Sequence, residues 1–125
     1  MPLEKLKVLV VEDSKDNQLL VRHFLKGTGI EASFADNGEA GVSDALNKNF
    51  DVILMDIQMP QVDGYEATSR LRKSGYEKPI IALTAHAFKE EQEKALSSGF
   101  TDFVCKPIHR DQLLRSLRAA SHQPR

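Results

Sequence analysis

Five short apolar runs punctuate the chain, and the longer segments between them carry apolar residues three and four apart. Nothing else in the sequence constrains the fold as much. Val8 to Val11, Ile30 to Ala35, Val52 to Met55, Ile80 to Leu83 and Phe103 to Cys105 read as strands. The first helix is capped by Asp13 or Ser14, has Leu20, Val21, Phe24 and Leu25 on its apolar stripe, and ends at Gly27 and Gly29. A weaker one follows the Asp36-Asn37-Gly38 turn, with Val42, Ala45 and Leu46 on one side. The third runs from about Tyr65 to Lys73, carries Ala67 and Leu71, and stops before Gly75. Pro79 opens the fourth strand. The fourth helix runs from about Lys89 to Ser98, with Ala95 and Leu96 inward and Gly99 as its stop. The last spans Arg110 to Ala120, with Leu113, Leu114 and Leu117 on its apolar face, and Ser121 to Arg125 is expected to fray. Runs this apolar suit strands buried on both faces. Strict alternation of strand and helix implies right-handed crossovers and a parallel sheet covered on both sides.

The 125 residues suit one domain, residues 1–125 with a core at about 6–120, and no repeat or linker divides them. A formal net charge of -1 gives no global reason to expect nucleic acid or an acidic membrane as partner. Cys105 is the single cysteine, so no intrachain disulfide forms; it reads as a small core residue and fits a cytoplasmic location. No apolar stretch reaches membrane-spanning length, and the start, M-P-L-E-K-L-K, lacks the apolar core of a signal peptide.

In open α/β sheets, ligands sit beyond the carboxyl ends of the strands. Glu12-Asp13 ends the first strand, Asp56 the third, Thr84 the fourth, and Cys105-Lys106-Pro107 the fifth. Taken singly, each has a plain explanation. Asp13 can cap a helix, Glu12 can be a solvated strand end, Asp56 can start a turn, Thr84 can be an ordinary strand residue, and Lys106 can lie on the surface. Together they put three carboxylates, a hydroxyl and an ammonium on one rim. Three crowded carboxylates raise one another's pKa, and a hard divalent cation relieves that. Magnesium favours few carboxylates plus phosphate oxygens. An ammonium and a hydroxyl beside it imply an anion between them, and a phosphoryl group fits. A carboxylate can then be the nucleophile, and Asp56, on the middle strand by chain order, is the natural candidate.

The motifs V-V-E-D at Val10 to Asp13, D-I-Q-M-P-Q-V-D-G at Asp56 to Gly64, A-L-T-A at Ala82 to Ala85 and K-P at Lys106-Pro107 resemble those of the receiver domains of two-component response regulators. The resemblance runs from about Lys7 to Leu117. It implies a flavodoxin-like fold, a single doubly wound five-stranded parallel sheet in the order 2-1-3-4-5 flanked by five helices. It also implies that Asp56 is the phosphoacceptor and one of the magnesium ligands, and that Asp13 binds the ion directly. Glu12, where many members have Asp, would act nearby through water, and the backbone carbonyl of Gln58 would complete the shell. Thr84 and Lys106 would contact the phosphoryl group, and the Lys106-Pro107 bond is often cis in the family. Phe103 matches the switch aromatic, with core packing as its plain explanation. Gln58 and His86 would tune the phosphate lifetime. His23, His109 and His122 stand singly and receive no role. Met59-Pro60 and Asp63-Gly64 shape the loop behind Asp56, with proline fixing φ and glycine allowing positive φ.

The implied function is that of a phosphorelay receiver, not a turnover enzyme. It takes a phosphoryl group from a phosphohistidine or a small donor, and the acyl phosphate remodels the surface around the fourth helix, fifth strand and fifth helix. The expected partner is a sensor histidine kinase or a histidine phosphotransfer domain, with no nucleic acid and no membrane insertion; the resemblance allows a phosphorylation-dependent dimer. Because the chain ends soon after the fifth helix, no output domain is expected. A free regulator and the receiver of a hybrid kinase both fit, and V-E-D-S-K-D-N-Q and G-F-T-D-F-V-C-K-P-I look more like the latter. Three rivals fit less well. A haloacid dehalogenase-type magnesium phosphatase needs D-x-D after the first strand. A flavodoxin-like cofactor binder needs a phosphate-cradling loop where two acids stand. A pseudo-receiver binding module needs no complete set of site residues.

Overall fold

A computed structural model describes residues 3–85 and 88–121. The order is β1 (Lys7–Val11), α1 (Lys15–Leu25), β2 (Glu31–Ala35), α2 (Gly38–Asn47), β3 (Val52–Asp56), α3 (Gly64–Lys73), β4 (Ile80–Thr84), α4 (Lys89–Ser98), β5 (Asp102–Cys105) and α5 (Arg110–Ser121). All strand pairs are parallel, in the sheet order β2-β1-β3-β4-β5, which puts β3 and its terminal Asp56 at the centre. β3 and β4 are buried at every residue, the consequence of helices on both faces.

Each strand feeds two cores. Val8, Val10, Val52, Leu54, Ile81 and Leu83 join α1 and α5 on one face. Leu9, Val11, Ile53, Met55, Ile80 and Ala82 join α2, α3 and α4 on the other. Ser14 caps α1 through its side chain, Asn37 caps α2 and Asp63 caps α3, so each of these helices starts at a fixed point beside a strand end.

Three details differ from the sequence reading. Leu46 and Leu96 face outward, 48% and 54% exposed, while their neighbours Ala45 and Ala95 are buried. Close approach of helix to sheet selects the small side chain. A Cβ on Gly41 would lie 2.7 Å from Val11 Cγ2, so α2 sits too near β1 to admit a leucine on that line. Ser121 belongs to α5 and does not fray, and residues 122–125, with His122, lie outside the described part. Cys105 is half-buried at the sheet edge, since β5 has a neighbour on one side only.

Candidate functional site

The rim at the carboxyl ends of β1, β3, β4 and β5 gathers the expected residues. Glu12 N–H donates to Ala35 O at 3.0 Å, continuing the β1–β2 ladder and turning the Glu12 side chain beneath the rim. Glu12 is fully buried, not a solvated strand end. Its Oε2 accepts from the Ser14 amide at 3.0 Å. Its Oε1 has no hydrogen-bond partner among the described residues and lies 3.3 Å from the Lys106 Nζ charge. Lys106 is delivered by β5, where its amide donates to Thr84 O at 2.7 Å. Its ammonium donates to Asp56 Oδ1 at 3.0 Å, and the Gln58 amide reaches the same oxygen at 3.3 Å. Asp56 and Thr84 are nearly solvent-free, at 2% and 5% exposure, whereas Asp13 is exposed. The Lys106-Pro107 bond is cis.

Crowding perturbs the site. Burial raises the Glu12 carboxyl to about 7, reinforced by Asp56 and opposed by the Ser14 amide and Lys106. For Lys106, burial pushes the ammonium down, but the hydrogen bond and charge of Asp56, with Glu12 behind it, outweigh this and hold it above the ordinary lysine value.

Glu12, Asp13 and Asp56 each offer one oxygen within 4.8 Å of the others. An all-oxygen donor set, with a buried carboxylate oxygen lacking any hydrogen bond, suits a hard divalent cation.

The loop after β3 closes one side of the site. Ile57 and Met59 are buried, and Gln61 takes φ +66°. Asp63 Oδ1 accepts from the Glu66 amide at 2.9 Å and the Gly64 amide donates to Ile57 O at 2.9 Å. Positive φ is not what Gly64 supplies. A Cβ there would sit 2.5 Å from Asp56 O and 2.7 Å from Ile57 Cα, so glycine serves close approach of α3 to the end of β3. Behind this loop a cavity of about 520 Å³ opens between Thr84, Gln58, Met59 and the first turn of α4. Phe103 is half-buried against the α2–α3–α4 core. His86 lies outside the described residues.

Sequence reasoning missed two residues. Gln18 is buried on α1 and its amide donates to Glu12 O at 2.6 Å and to Asp36 Oδ1 at 2.8 Å. Asp36, read only as part of a turn, also pairs with Lys15 at 2.8 Å. The available signal was a glutamine in line with Val21 and Leu25, three and seven residues on, where a helix shows its core its apolar side.

Among the described residues no helix is long and apolar enough to cross a membrane. The family profile "Response regulator receiver domain" matches residues 8–118. Hybrid signal transduction histidine kinase I of Dictyostelium discoideum is 44% identical over 112 residues, covering 82% of this chain and 6% of that protein. The chain spans 17% or less of the length of the first curated relatives it matches. The receiver domain of sensor histidine kinase PA1611 from Pseudomonas aeruginosa PAO1, solved with a magnesium ion coordinated in the active site cleft, is similar with TM-score 0.86 and 35% identity, over 94% of this chain and 98% of that one. A chain from the Saccharomyces cerevisiae co-crystal of the histidine phosphotransfer protein Ypd1 with the receiver domain of Ssk1 is similar with TM-score 0.88 and 29% identity, over 97% and 92%. The matched span, the sheet order and the acidic rim agree: this chain belongs to the response regulator receiver domain family, the phosphoacceptor modules of two-component phosphorelays.

Proposed function

We propose that Asp56 is the phosphoacceptor of this receiver, and that Glu12, Asp13 and the Gln58 carbonyl hold a magnesium ion beside it. The observation that carries this reading is the 3.0 Å contact of Lys106 Nζ with Asp56 Oδ1, next to a carboxylate oxygen without a hydrogen bond. An oxygen of Asp56 attacks the phosphorus of a phosphohistidine. The O–P bond forms, the N–P bond breaks, and its electron pair returns to the imidazole. Lys106 and the Thr84 hydroxyl stabilise the oxygens of the transferring group. A magnesium ion held by Glu12, Asp13 and the Gln58 carbonyl would supply further neutralisation of the charge on the transferring group. Thr84 then moves toward the phosphoryl group and Phe103 turns inward, altering the face of α4, β5 and α5. Hydrolysis resets the domain at a rate tuned by Gln58 and His86, without turnover of an external substrate.

The donor is a histidine kinase or a histidine phosphotransfer domain. The yeast co-crystal supports such pairing for a similar receiver, and the Dictyostelium relative supports placement within a hybrid kinase. Lone Cys105 suits the reducing cytoplasm. Intact mass after incubation with acetyl phosphate tests the assignment. One base-labile phosphoryl group should add in the presence of magnesium, and none in Asp56→Asn or in chelator. Labelling that survives Asp56→Asn refutes the assignment.

A further inference from the structure

Five polar or charged side chains are buried among the described residues: Glu12, Gln18, Asp56, Thr68 and Thr84. Three form the site. Gln18 is the one outside it whose side chain bonds directly to the site's backbone. It is 6% exposed and lies on the α1 stripe that also buries Val21 and Leu25. An apolar residue there would avoid the desolvation that an amide incurs. Instead both amide protons are spent on fixed acceptors, one after β1 and one after β2. The first acceptor is the carbonyl of the peptide joining Glu12 to Asp13. The second, Asp36, is held in turn by Lys15. Asp13 has no hydrogen bond to its carboxylate among the described residues and lies in solvent. Its aim is therefore set by its backbone, and that peptide is what Gln18 fixes.

We propose that Gln18 is a positioning residue for the cation end of the site, orienting the Glu12–Asp13 peptide from α1 with Asp36 as its tether. The inference rests on the reading of Glu12 and Asp13 as cation ligands. Outer partners that orient ligands typically change metal affinity about 10-fold or more when removed.

The test uses Mn²⁺ as probe, with free ion measured by electron paramagnetic resonance, alongside thermal unfolding without cation. Gln18→Met keeps the length of the side chain and removes the donor. Its Mn²⁺ Kd should rise about 10-fold. Leu25→Ala, on the same stripe, should destabilise the fold at least as much and leave Kd unchanged. Phosphorylation of Gln18→Met by acetyl phosphate should recover at saturating Mg²⁺. An unchanged Kd in Gln18→Met overturns the proposal, and so does an equal rise in Leu25→Ala, which would make the effect one of stability. If Gln18→Met does not fold, Asp36→Ala at an exposed position carries the test: Kd must rise, and no rise overturns the proposal. Absence of Mn²⁺ binding by the unaltered chain, or binding that Asp13→Asn leaves intact, brings down the ligand reading itself and this inference with it. Wild-type binding that matches Gln18→Met binding brings down the inference alone.

Discussion

A carboxylate cut off from solvent must find charge or take up a proton, and Glu12 is pulled both ways. Lys106 stands 3.3 Å from Oε1 and favours the anion, while burial and Asp56 favour the acid. The balance leaves the carboxyl at about 7 in the folded chain, above its ordinary 4.5. Between those values the native state holds a proton that the unfolded chain has released. Raising the pH through that window therefore weakens the fold, by on the order of 3 kcal/mol. The raised Lys106 value acts elsewhere: its contribution is complete below the ordinary lysine value of 10.5 and is lost only in strong alkali, as pH climbs through the folded value. Urea unfolding in chelator at a series of pH values from 5 to 7.5 should show falling stability in the native sequence, and Glu12→Gln should flatten most of that slope. Identical slopes in both chains would mean that Glu12 titrates as a free carboxyl and that its burial costs nothing.

The helix α4 is packed lightly, and its far end is tied from α3. Ala95 is its one buried residue, and Phe88 at its start provides no side-chain cap. At the other end Gly99 takes φ +110°, a left-handed stop that glycine permits. There Arg72 Nε donates to Gly99 O at 2.9 Å, and its Nη1 donates to Tyr76 O at 2.8 Å and Lys78 O at 2.9 Å. One guanidinium thus ties α3, the loop before β4 and the end of α4 together. Arg72→Met should cost about 3 kcal/mol, because three carbonyls lose a charged donor. Arg70→Met, two residues earlier and paired with Glu66 in solvent, should cost no more than about 0.5 kcal/mol. Urea midpoints at constant m-value distinguish them, and equal losses would reject the clamp. The sequence could not single out Arg72, since Arg70, Arg72 and Lys73 are alike on the page and only tertiary packing separates them. Strands were legible because each is apolar along most of its length, and the rim was legible because Glu12, Asp56, Thr84 and Lys106 each break such a run. Helix faces were harder. Ala45-Leu46 and Ala95-Leu96 offer two neighbouring apolar residues for a line of contact that admits one, and the distance from helix to sheet makes the choice. Gln18 and Asp36 were harder still: the place of Gln18 on the apolar stripe was a signal, but its carbonyl partner on Glu12 and its pairing with Asp36 are tertiary contacts that no side-chain pattern records.

At the scale of the whole molecule, the sheet joins what would otherwise be two separate cores. Val8 and Val10 pack with α1 and α5, while Leu9 and Val11, the alternate residues of the same strand, pack with α2 and α3. β3 and β4 divide in the same way, Leu54 and Ile81 to one side, Ile53 and Ile80 to the other. Losing either layer strips one face of every central strand, and a parallel sheet does not persist with a face in water. The rim reports on both layers at once, since Glu12 follows β1, Asp56 ends β3 and Thr84 ends β4, while Lys106 is held to Thr84 by a backbone bond. We therefore propose that residues from about 6 to 120 form one cooperative unit. Urea unfolding followed by far-ultraviolet circular dichroism and by fluorescence of Tyr65 and Tyr76 should give coincident transitions. Both tyrosines lie on the α2–α3–α4 side, so their signal follows one layer while dichroism follows every helix. A tyrosine transition that precedes loss of the α1 and α5 helical signal would mean that the layers part independently, and the strand alternation would then fail as the source of cooperativity.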